Sequence, residues 1–235
     1  MQTPINALLK PGHADRIVAG HPWIFGASIL RLTREAADGE IVQVKDHRKR
    51  FIGLGFYNSR SRIQIRMISR ERTAIDQNFF QRRIRKALEF RKRFLPEASS
   101  FRVINSESDF LSGMIVDKYA NHLVIQLSSL GLDQRKPEIL AALADVFPAC
   151  QISEKHDSAF RKFEGLEPEP APVTDETSEK SVDITMNDLQ FRIDLADGHK
   201  TGAYLDQQHN YHSVGRLLGQ LGSPRVLDCF TYRGG

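Results

Sequence analysis

The last ten residues of the sequence, VLDCFTYRGG at positions 226–235, decide the fold of the segment to which they belong. An apolar run that leads through an acid into paired glycines is typical of the first strand-to-helix turn of a doubly wound sheet. The glycines let the backbone approach a ligand closely, and the helix that follows offers free N–H groups. The stretch predicts a buried strand and the beginning of a Rossmann-like α/β domain, with a ligand near Asp228, Phe230, Gly234 and Gly235.

The spacing inside this turn narrows the class of ligand. Neither the GxGxxG pattern of dinucleotide sites nor the GxxxxGK pattern of phosphate loops occurs in it. The pattern DxFxxxGG, which begins at Asp228, suits S-adenosylmethionine, because this ligand is cationic at sulfur and carries no phosphate. Cys229 lies inside the predicted junction of strand and turn, so we expect a buried thiol there and not a nucleophile.

A polar and aromatic segment, GHKTGAYLDQQ at positions 198–208, precedes this stretch. It offers hydrogen-bond donors and acceptors over a short span, so it is suited to lining a binding site. An amphipathic helix with Tyr211, Val214 and Leu218 follows it. In the alternative interpretation the segment is an ordinary polar loop in which Asp206 caps that helix. The residues alone leave both interpretations open.

The composition of the 235 residues is that of an ordinary globular protein, with 40% hydrophobic and 26% charged residues. No apolar run approaches the roughly 20 residues that cross a bilayer, and the N-terminus lacks the apolar core of a secretory signal. We therefore expect a cytoplasmic protein without a membrane partner. Only Cys150 and Cys229 occur, far apart, which argues against a disulfide framework or a cysteine-rich metal site.

Positive charge is concentrated in the first part of the chain. Residues 1–93 hold 20 Lys and Arg against 8 Asp and Glu, although the whole chain has a net charge of only +4. Such a segment favours a polyanion partner, because each neutralised phosphate releases counterions. A solvated basic surface without a partner is the alternative. The residues expected to contact RNA form a basic loop and the outer face of the next strand: Arg48, Lys49, Arg50, Arg60, Arg62 and Arg66.

Short, closely spaced strands followed by alternating strands and helices predict an α+β fold. Asp76 is the expected N-cap of a long helix, and Pro137 is expected in the first turn of another. Trp23 is either a core residue of the first part or a base-stacking surface. The predicted parts are a small β-barrel (1–70), a central α+β domain with an acidic, proline-rich loop at 164–180 (71–194), and the start of the α/β domain (195–235).

Alternation of apolar and polar residues, together with turn residues, gives the individual elements. The glycines inside the second barrel strand predict a bend or a close approach of backbone. The predicted strands are 39–46, 51–57, 61–68, 101–105, 113–119, 121–127, 150–154, 182–186 and 190–194, and the predicted helices are 76–94 and 137–146.

The two motifs at the end of the chain, HKTGAYLDQQHN and VLDCFTYRGG, together resemble the class I methyltransferases that make 5-methylcytosine in large-subunit ribosomal RNA. Earlier segments are similar to the same family. LKPG at 9–12 and GHPWIF at 20–25 resemble its N-terminal PUA domain, a small RNA-binding barrel, and SGMIVDKY at 112–119 and RKFEGL at 161–166 resemble its central domain. The resemblance therefore runs nearly from end to end.

The resemblance implies S-adenosylmethionine as cofactor and ribosomal RNA as partner, with cytosine C5 of 23S rRNA as the expected target. Two residues depart from the family pattern: Gln208 replaces an arginine, and Arg233 replaces a threonine before the glycines. The residues implied beside the methyl donor are Lys200, Thr201, Tyr204, Asp206 and Gln207, and those implied at the floor of the pocket are Asp228, Phe230, Gly234 and Gly235.

The family's target-base motif and its cysteine nucleophile, which attacks C6 of cytosine, find no match in this sequence. Neither Cys150 nor Cys229 has a convincing claim to that role. We therefore expect the N-terminal part of an RNA methyltransferase, truncated at the first cofactor motif and inactive alone. A non-catalytic RNA-binding protein and an accessory subunit of a separate catalytic chain remain alternatives, and the oligomeric state, a homodimer included, stays open.

Overall fold

A computed structural model describes residues 4–155, 158–166, 181–195, 201–227 and 229. In chain order the elements are β1 (Asn6–Leu9), α1 (Asp15–Val18), β2 (Trp23–Ile24), β3 (Ile29–Leu32), β4 (Ile41–Lys45), β5 (Phe51–Tyr57), β6 (Ile65–Ser69), α2 (Gln77–Phe94), β7 (Phe101–Asn105), β8 (Met114–Tyr119), β9 (His122–Leu127), α3 (Leu130–Asp133), α4 (Lys136–Val146), β10 (Gln151–Glu154), α5 (Ser158–Phe163), β11 (Ser181–Met186), β12 (Leu189–Asp194) and α6 (Gln208–Gly219). Short 3₁₀ turns occupy Gly26–Ser28, Ser106–Asp109 and Leu205–Gln207.

The first sheet has six strands in the order β2-β6-β5-β4-β1-β3. Its neighbours are antiparallel except β1 and β4, which run parallel. The glycines of β5 allow the close approach that the sequence predicts, because a Cβ at Gly53 would lie 2.3 Å from the carbonyl oxygen of Ser69. The curled sheet encloses a buried apolar cluster that includes Ile5, Ala7, Leu9, Ile24, Val42, Val44, Ile65 and Met67.

The third predicted barrel strand begins at Ile65 and not at Ser61. Residues 58–64 form a loop that is held by its own side chains. Asn58 Oδ1 accepts a hydrogen bond from the Arg60 amide at 3.1 Å. Ser61 Oγ accepts one from the Ile63 amide, also at 3.1 Å. Such local bonds compete with a strand ladder, which explains the shorter strand.

The second sheet has the order β10-β9-β8-β7. Strands β7, β8 and β9 form an antiparallel meander, and α4 then returns the chain so that β10 lies parallel to β9. Helix α2 packs against α4 and β7. It begins at the predicted cap, because Asp76 Oδ1 accepts a hydrogen bond from the Phe79 amide at 2.8 Å. Pro137 lies in the first turn of α4, which also confirms the sequence prediction.

The barrel and the central domain share one apolar interior. Leu54, Phe56 and Ile68 of the barrel belong to the same buried cluster as residues of α2 and of the second sheet. The fit is close, because a Cβ at Gly131 in α3 would lie 2.2 Å from the Phe56 ring. The division at residue 70 thus separates elements that are packed together, and it stays a sequence prediction.

The hairpin β11–β12 confirms the predicted turn at 187–188 and builds a third layer. Its buried side chains pack with Tyr119 of β8 and Val124 of β9, and Ala203 and Leu205 complete the cluster. The chain from 201 onward is therefore attached to the central sheet through this layer.

The predicted buried strand at the end of the sequence is wrong for its described part. Residues 224–227 are not in a strand, and Leu227 is 85% exposed. No strand in the ranges given above pairs with them, so no ladder buries their apolar side chains. Cys229 is exposed, which contradicts the buried thiol expected there. Asp228, Phe230, Arg233, Gly234 and Gly235, like Lys200 and the proline-rich loop from 167 onward, lie outside the described residues.

Candidate functional site

A buried polar cluster connects the segment from Thr201 to the central sheet. Asp117 of β8 and Thr201 are completely buried, and Thr201 Oγ1 donates to Asp117 Oδ2 at 2.5 Å. The hydroxyl of Tyr119 lies 2.9 Å from Thr201 Oγ1 and accepts a hydrogen bond from the Ala203 amide at 3.0 Å. Arg102 holds Asp117 from the other side through Nε and Nη2, at 2.8 and 2.9 Å. Thr201, predicted beside the methyl donor, is therefore an internal anchor of its loop.

The electrostatics of the cluster follow from its burial. Desolvation raises the pKa of Tyr119 to about 12, and the charge of Asp117 contributes in the same direction. The pKa of Arg102 is raised chiefly by its hydrogen bond to Asp117, and the carboxylate of Asp206 adds to this shift. The cluster thus holds a neutral phenol next to a carboxylate that is compensated by a guanidinium.

Alkaline pH is expected to weaken the fold through Tyr119. Because its pKa is raised in the folded state, the stabilisation that it contributes is complete below pH 10 and is lost as the pH rises from 10 towards 12. Urea unfolding at a series of pH values would measure this loss. The Tyr119→Phe variant should show a shallower decline of the free energy of unfolding in the same interval. Equal declines in both proteins would contradict this role of the phenol.

The other predicted cofactor residues in the described part of the chain lie next to one another at the start of α6. Tyr204 and Gln207 are half-buried and Asp206 is exposed. Gln207 Oε1 accepts from Asn210 at 2.8 Å. The N-cap position of α6 is held by Gln207, which makes no side-chain cap, and not by Asp206 as in the alternative interpretation. Gln208, which departs from the family pattern, donates to the Ser100 and Leu205 carbonyls at 2.9 and 3.1 Å and ties the helix to the central domain.

The basic loop before β5 is a rigid turn built around Asp46. Its Oδ1 accepts hydrogen bonds from the amides of Arg48 and Arg50 at 2.9 and 2.8 Å, and its Oδ2 accepts from the Arg50 side chain at 2.6 Å. Lys49 takes a left-handed conformation with φ 65°. The side chains of Arg48, Lys49 and Arg50 are exposed, so the loop presents basic groups to solvent.

Arg60 and Arg62 lie in the loop that follows β5, so they are at the opposite end of that strand. Seven strand residues separate the two loops, which is about 20 Å at the usual rise of a β-strand. Arg60 forms an ion pair with Asp38 at 3.2 Å. The predicted basic residues are thus divided between two ends of the barrel and do not form one patch.

Arg66 is not on an exposed face, as predicted, but in the junction between the barrel and the central domain. Its side chain is only 13% exposed and forms an ion pair with Glu164 at 2.6 Å. Glu164 is itself buried and accepts from Ser61 Oγ at 2.7 Å. The alternation of β6 does place Arg66 opposite the barrel core, but the central domain covers that opposite face.

Trp23 belongs to the same junction. Its indole N–H lies 3.0 Å from Glu107 Oε1 and 3.3 Å from Ser112 Oγ, both in the central domain. The half-buried ring is therefore neither a pure core residue nor a free stacking surface. Together with Arg62, Arg66, Glu164 and the exposed Phe163, it lines a cavity of about 530 Å³.

Sequence reasoning missed the two buried carboxylates that organise this part of the molecule. Asp117 interrupts the otherwise apolar start of β8, and this acid within a buried strand is the signal that could have identified it. Glu164 lies in the RKFEGL segment, whose sequence indicates the family resemblance but no buried ion pair. Its partners come from more than 90 positions earlier, so no local pattern shows them.

Neither a metal-binding cluster nor a membrane-spanning helix is observed among the described residues. They contain no group of three or more His, Cys, Asp and Glu side chains that could hold a metal ion. Their helices are also too short or too polar to cross a membrane.

Comparison with known proteins gives similarity along nearly the whole chain. A family model for the PUA-like domain matches residues 8–70. Ribosomal RNA large subunit methyltransferase I of Klebsiella pneumoniae is 36% identical over 232 residues, which is 97% of this chain and 57% of that protein. The proteins of the same name from Pseudoalteromonas translucida and Escherichia coli are 37% and 33% identical, over 96% and 98% of this chain and 57% and 58% of theirs. The chain thus spans little more than half the length of these curated relatives.

Solved structures share the fold. A protein from Streptococcus mutans, described as a candidate SAM-dependent methyltransferase, superimposes with a TM-score of 0.71 at 18% identity, over 89% of this chain and 53% of the other. A candidate methyltransferase crystallised with SAH gives a TM-score of 0.73 at 18% identity, over the same shares. At this identity the likeness establishes the architecture, which is α+β with a PUA-like domain.

Proposed function

We propose that this chain is part of an S-adenosylmethionine-dependent methyltransferase of large-subunit ribosomal RNA. The premise is that similarity along 97% of the chain reflects shared chemistry. The observation that carries the proposal is the extent of the similarity, which covers 97% of the chain and so includes the barrel, the central domain and most of the segment after 195. A shared RNA-binding barrel alone would give a match over its 63 residues only. We place the protein in the cytoplasm, where ribosomes are made and modified.

The described residues fit the proposed cofactor in part. Tyr204, Asp206 and Gln207 offer a phenol, a carboxylate and an amide on one short turn, and this set of hydrogen-bond donors and acceptors suits the polar groups of S-adenosylmethionine. Thr201 contributes by fixing that turn to Asp117, because its hydroxyl is used inside the protein. The cofactor would supply an electrophilic methyl group. Lys200, Asp228, Phe230, Gly234 and Gly235 remain proposed contacts from the sequence.

RNA would approach the barrel at two places. Arg48, Lys49 and Arg50 form the exposed basic turn at one end of β5, and Arg62 is exposed at the other end. Fixed, exposed cations of this kind suit phosphate contacts, which position an RNA without reading its sequence. Arg66 is not part of this surface, since its guanidinium is bound to Glu164.

The finer proposal is methylation at C5 of cytosine in 23S rRNA, with no transfer by these 235 residues alone. C5 becomes nucleophilic when a cysteine adds to C6. Cys150 is packed against the main core, and Cys229 is an exposed free cysteine. Support for the target base comes only from the resemblance of the motifs.

Disruption of the gene, followed by mass spectrometry of the nucleosides from large-subunit rRNA, tests both levels of the proposal. We expect one 5-methylcytidine to disappear and to return when the intact gene is restored. Loss of a different methylated nucleoside would keep the enzyme class and overturn the target base. An unchanged set of nucleosides would overturn the methyltransferase proposal.

A further inference from the structure

A basic and aromatic groove lies beside α2, away from the basic loops of the barrel. One cavity of about 420 Å³ lies between the end of β6 and α2, and another of about 560 Å³ continues along the helix. Both are lined by Arg83, Lys86 and Phe110. Each volume is within the range of pockets that hold small organic groups, and together they form a continuous track.

Arg70 and Arg83, two cations of this groove, form no ion pair with the described part of the protein. Arg83 has no ion pair there, and its guanidinium lies 5.3 Å from the ring centroids of both Phe79 and Phe110. Among the described residues, the buried Nη1 of Arg70, in the first cavity, has no hydrogen-bond partner, and its Nη2 donates to the His21 carbonyl at 3.4 Å. Burial lowers the pKa of both guanidinium groups. Two partly desolvated cations without an ion pair favour an anionic ligand.

The acids near the groove leave a positive excess. Asp109 is bound to Arg91 at 2.6 Å, and Glu107 is engaged with the Trp23 indole. Glu71 also lines the groove, and its charge favours the charged form of Arg83 without forming an ion pair. Because the indole is neutral, Glu107 keeps its charge, and the four cations that line the two cavities (Arg70, Arg83, Lys86 and Arg91) outnumber the three carboxylates by one.

Two exposed aromatic rings line the same track. Phe110 is 52% exposed and has a left-handed backbone, with φ 60° and ψ 30°. This conformation is unfavourable for a bulky side chain, and such strain is concentrated at functional sites. Phe90 lies on the same face of α2 as Arg83 and Lys86 and is 57% exposed. Exposed rings between cations are the arrangement that binds stacked bases of single-stranded nucleic acid.

We propose that this groove binds an unpaired segment of RNA, with phosphates at Arg83, Lys86 and Arg70 and bases stacked on Phe110 and Phe90. The proposal rests on the proposed function in taking RNA as the partner, and it adds a second surface outside the barrel. An RNA strand fits better than an isolated nucleotide because α2 carries seven Lys and Arg against one Glu over 18 residues, or about 27 Å. A duplex fits less well, since its stacked bases cannot reach the rings.

Fluorescence anisotropy with the full chain and a labelled, unstructured 12-nucleotide RNA tests the groove. Arg83→Gln should weaken binding about tenfold, and Arg83→Gln with Lys86→Gln should also reduce the slope of log affinity against log salt by about 0.7 per lost phosphate contact. Arg85→Gln is the matched control, since it removes the same charge from the same helix but lines neither cavity. It should change affinity less than twofold.

Phe110→Asn is the second variant, and it separates stacking from folding. Asparagine tolerates the left-handed conformation, so the thermal midpoint should be unchanged or higher while affinity for the single strand falls about tenfold. Unchanged affinity in both Arg83→Gln and Phe110→Asn would overturn the groove. Equal binding of a duplex of the same sequence, or equal competition by polyglutamate, would also overturn it. If the unaltered chain binds no RNA at all, the RNA substrate of the proposed function fails as well.

Discussion

Replacing Asp117 by alanine is expected to lower the free energy of unfolding by about 3 kcal/mol. Its carboxylate is almost completely buried and accepts two hydrogen bonds from Arg102 and one from Thr201. Removing one partner of a buried pair leaves the other charge uncompensated, which costs several kcal/mol. The value is taken at the lower end of that range because the Arg102 side chain is 32% exposed. Urea unfolding at neutral pH measures it.

The control for this change is Asp183→Ala. Asp183 forms the same two-point hydrogen bond with Arg192, at 2.8 Å for both contacts, but its side chain is 60% exposed. An exposed pair contributes about 0–1 kcal/mol, so this variant should be nearly as stable as the unaltered protein. Similar losses at Asp117 and Asp183 would show that burial does not control the strength of these pairs and would contradict the expectation.

Glu164→Ala is expected to have an effect of similar size, about 3 kcal/mol, at the junction of barrel and central domain. The alanine removes the acceptor of Arg66 and of Ser61 in one step. It leaves a guanidinium that is only 13% exposed without its strongest partner, since Glu107 lies 3.6 Å from it. The loss should appear in chemical unfolding as a lower midpoint without a change of slope.

A double-mutant cycle separates this ion pair from the rest of the junction. Combining Glu164→Gln with Arg66→Met removes both charges, so neither remains buried alone, and the double variant should be more stable than the sum of the single losses predicts. We expect a coupling of about 2 kcal/mol. Additive losses would mean that the Glu164 carboxylate acts as acceptor for Ser61 Oγ, at 2.7 Å, and Asn58 Nδ2, at 3.4 Å, and not through Arg66.

Local signals in the sequence predict much of the fold. The strands Phe51–Tyr57 and Phe101–Asn105 have the predicted bounds, and α2 begins after Asp76 as predicted. Each of these elements is determined by neighbours in sequence: alternating side chains, a capping carboxylate, a turn. The end of the chain shows the limit, since residues 224–227 have strand-like composition but no described partner strand.

The candidate site was less predictable because its residues are defined by distant partners. Alternation correctly places Arg66 on the face opposite Ile65, but it does not show that the central domain covers that face. The polar character of Thr201 suggested a ligand contact, yet its partners are Asp117 and Tyr119, more than 80 residues earlier. The local sequence around a polar loop residue does not show whether its side chain faces a cofactor or a buried carboxylate.

The packing of Phe56 against Gly131 has a consequence for how the surface of the barrel works. Because the barrel and the central domain pack there without space for one methyl group, any movement of the barrel against its neighbour would have to separate this contact. The basic groups at the two ends of β5 are then held about 20 Å apart. An RNA that contacts both would be selected by the spacing of its phosphates, that is, by its folded shape.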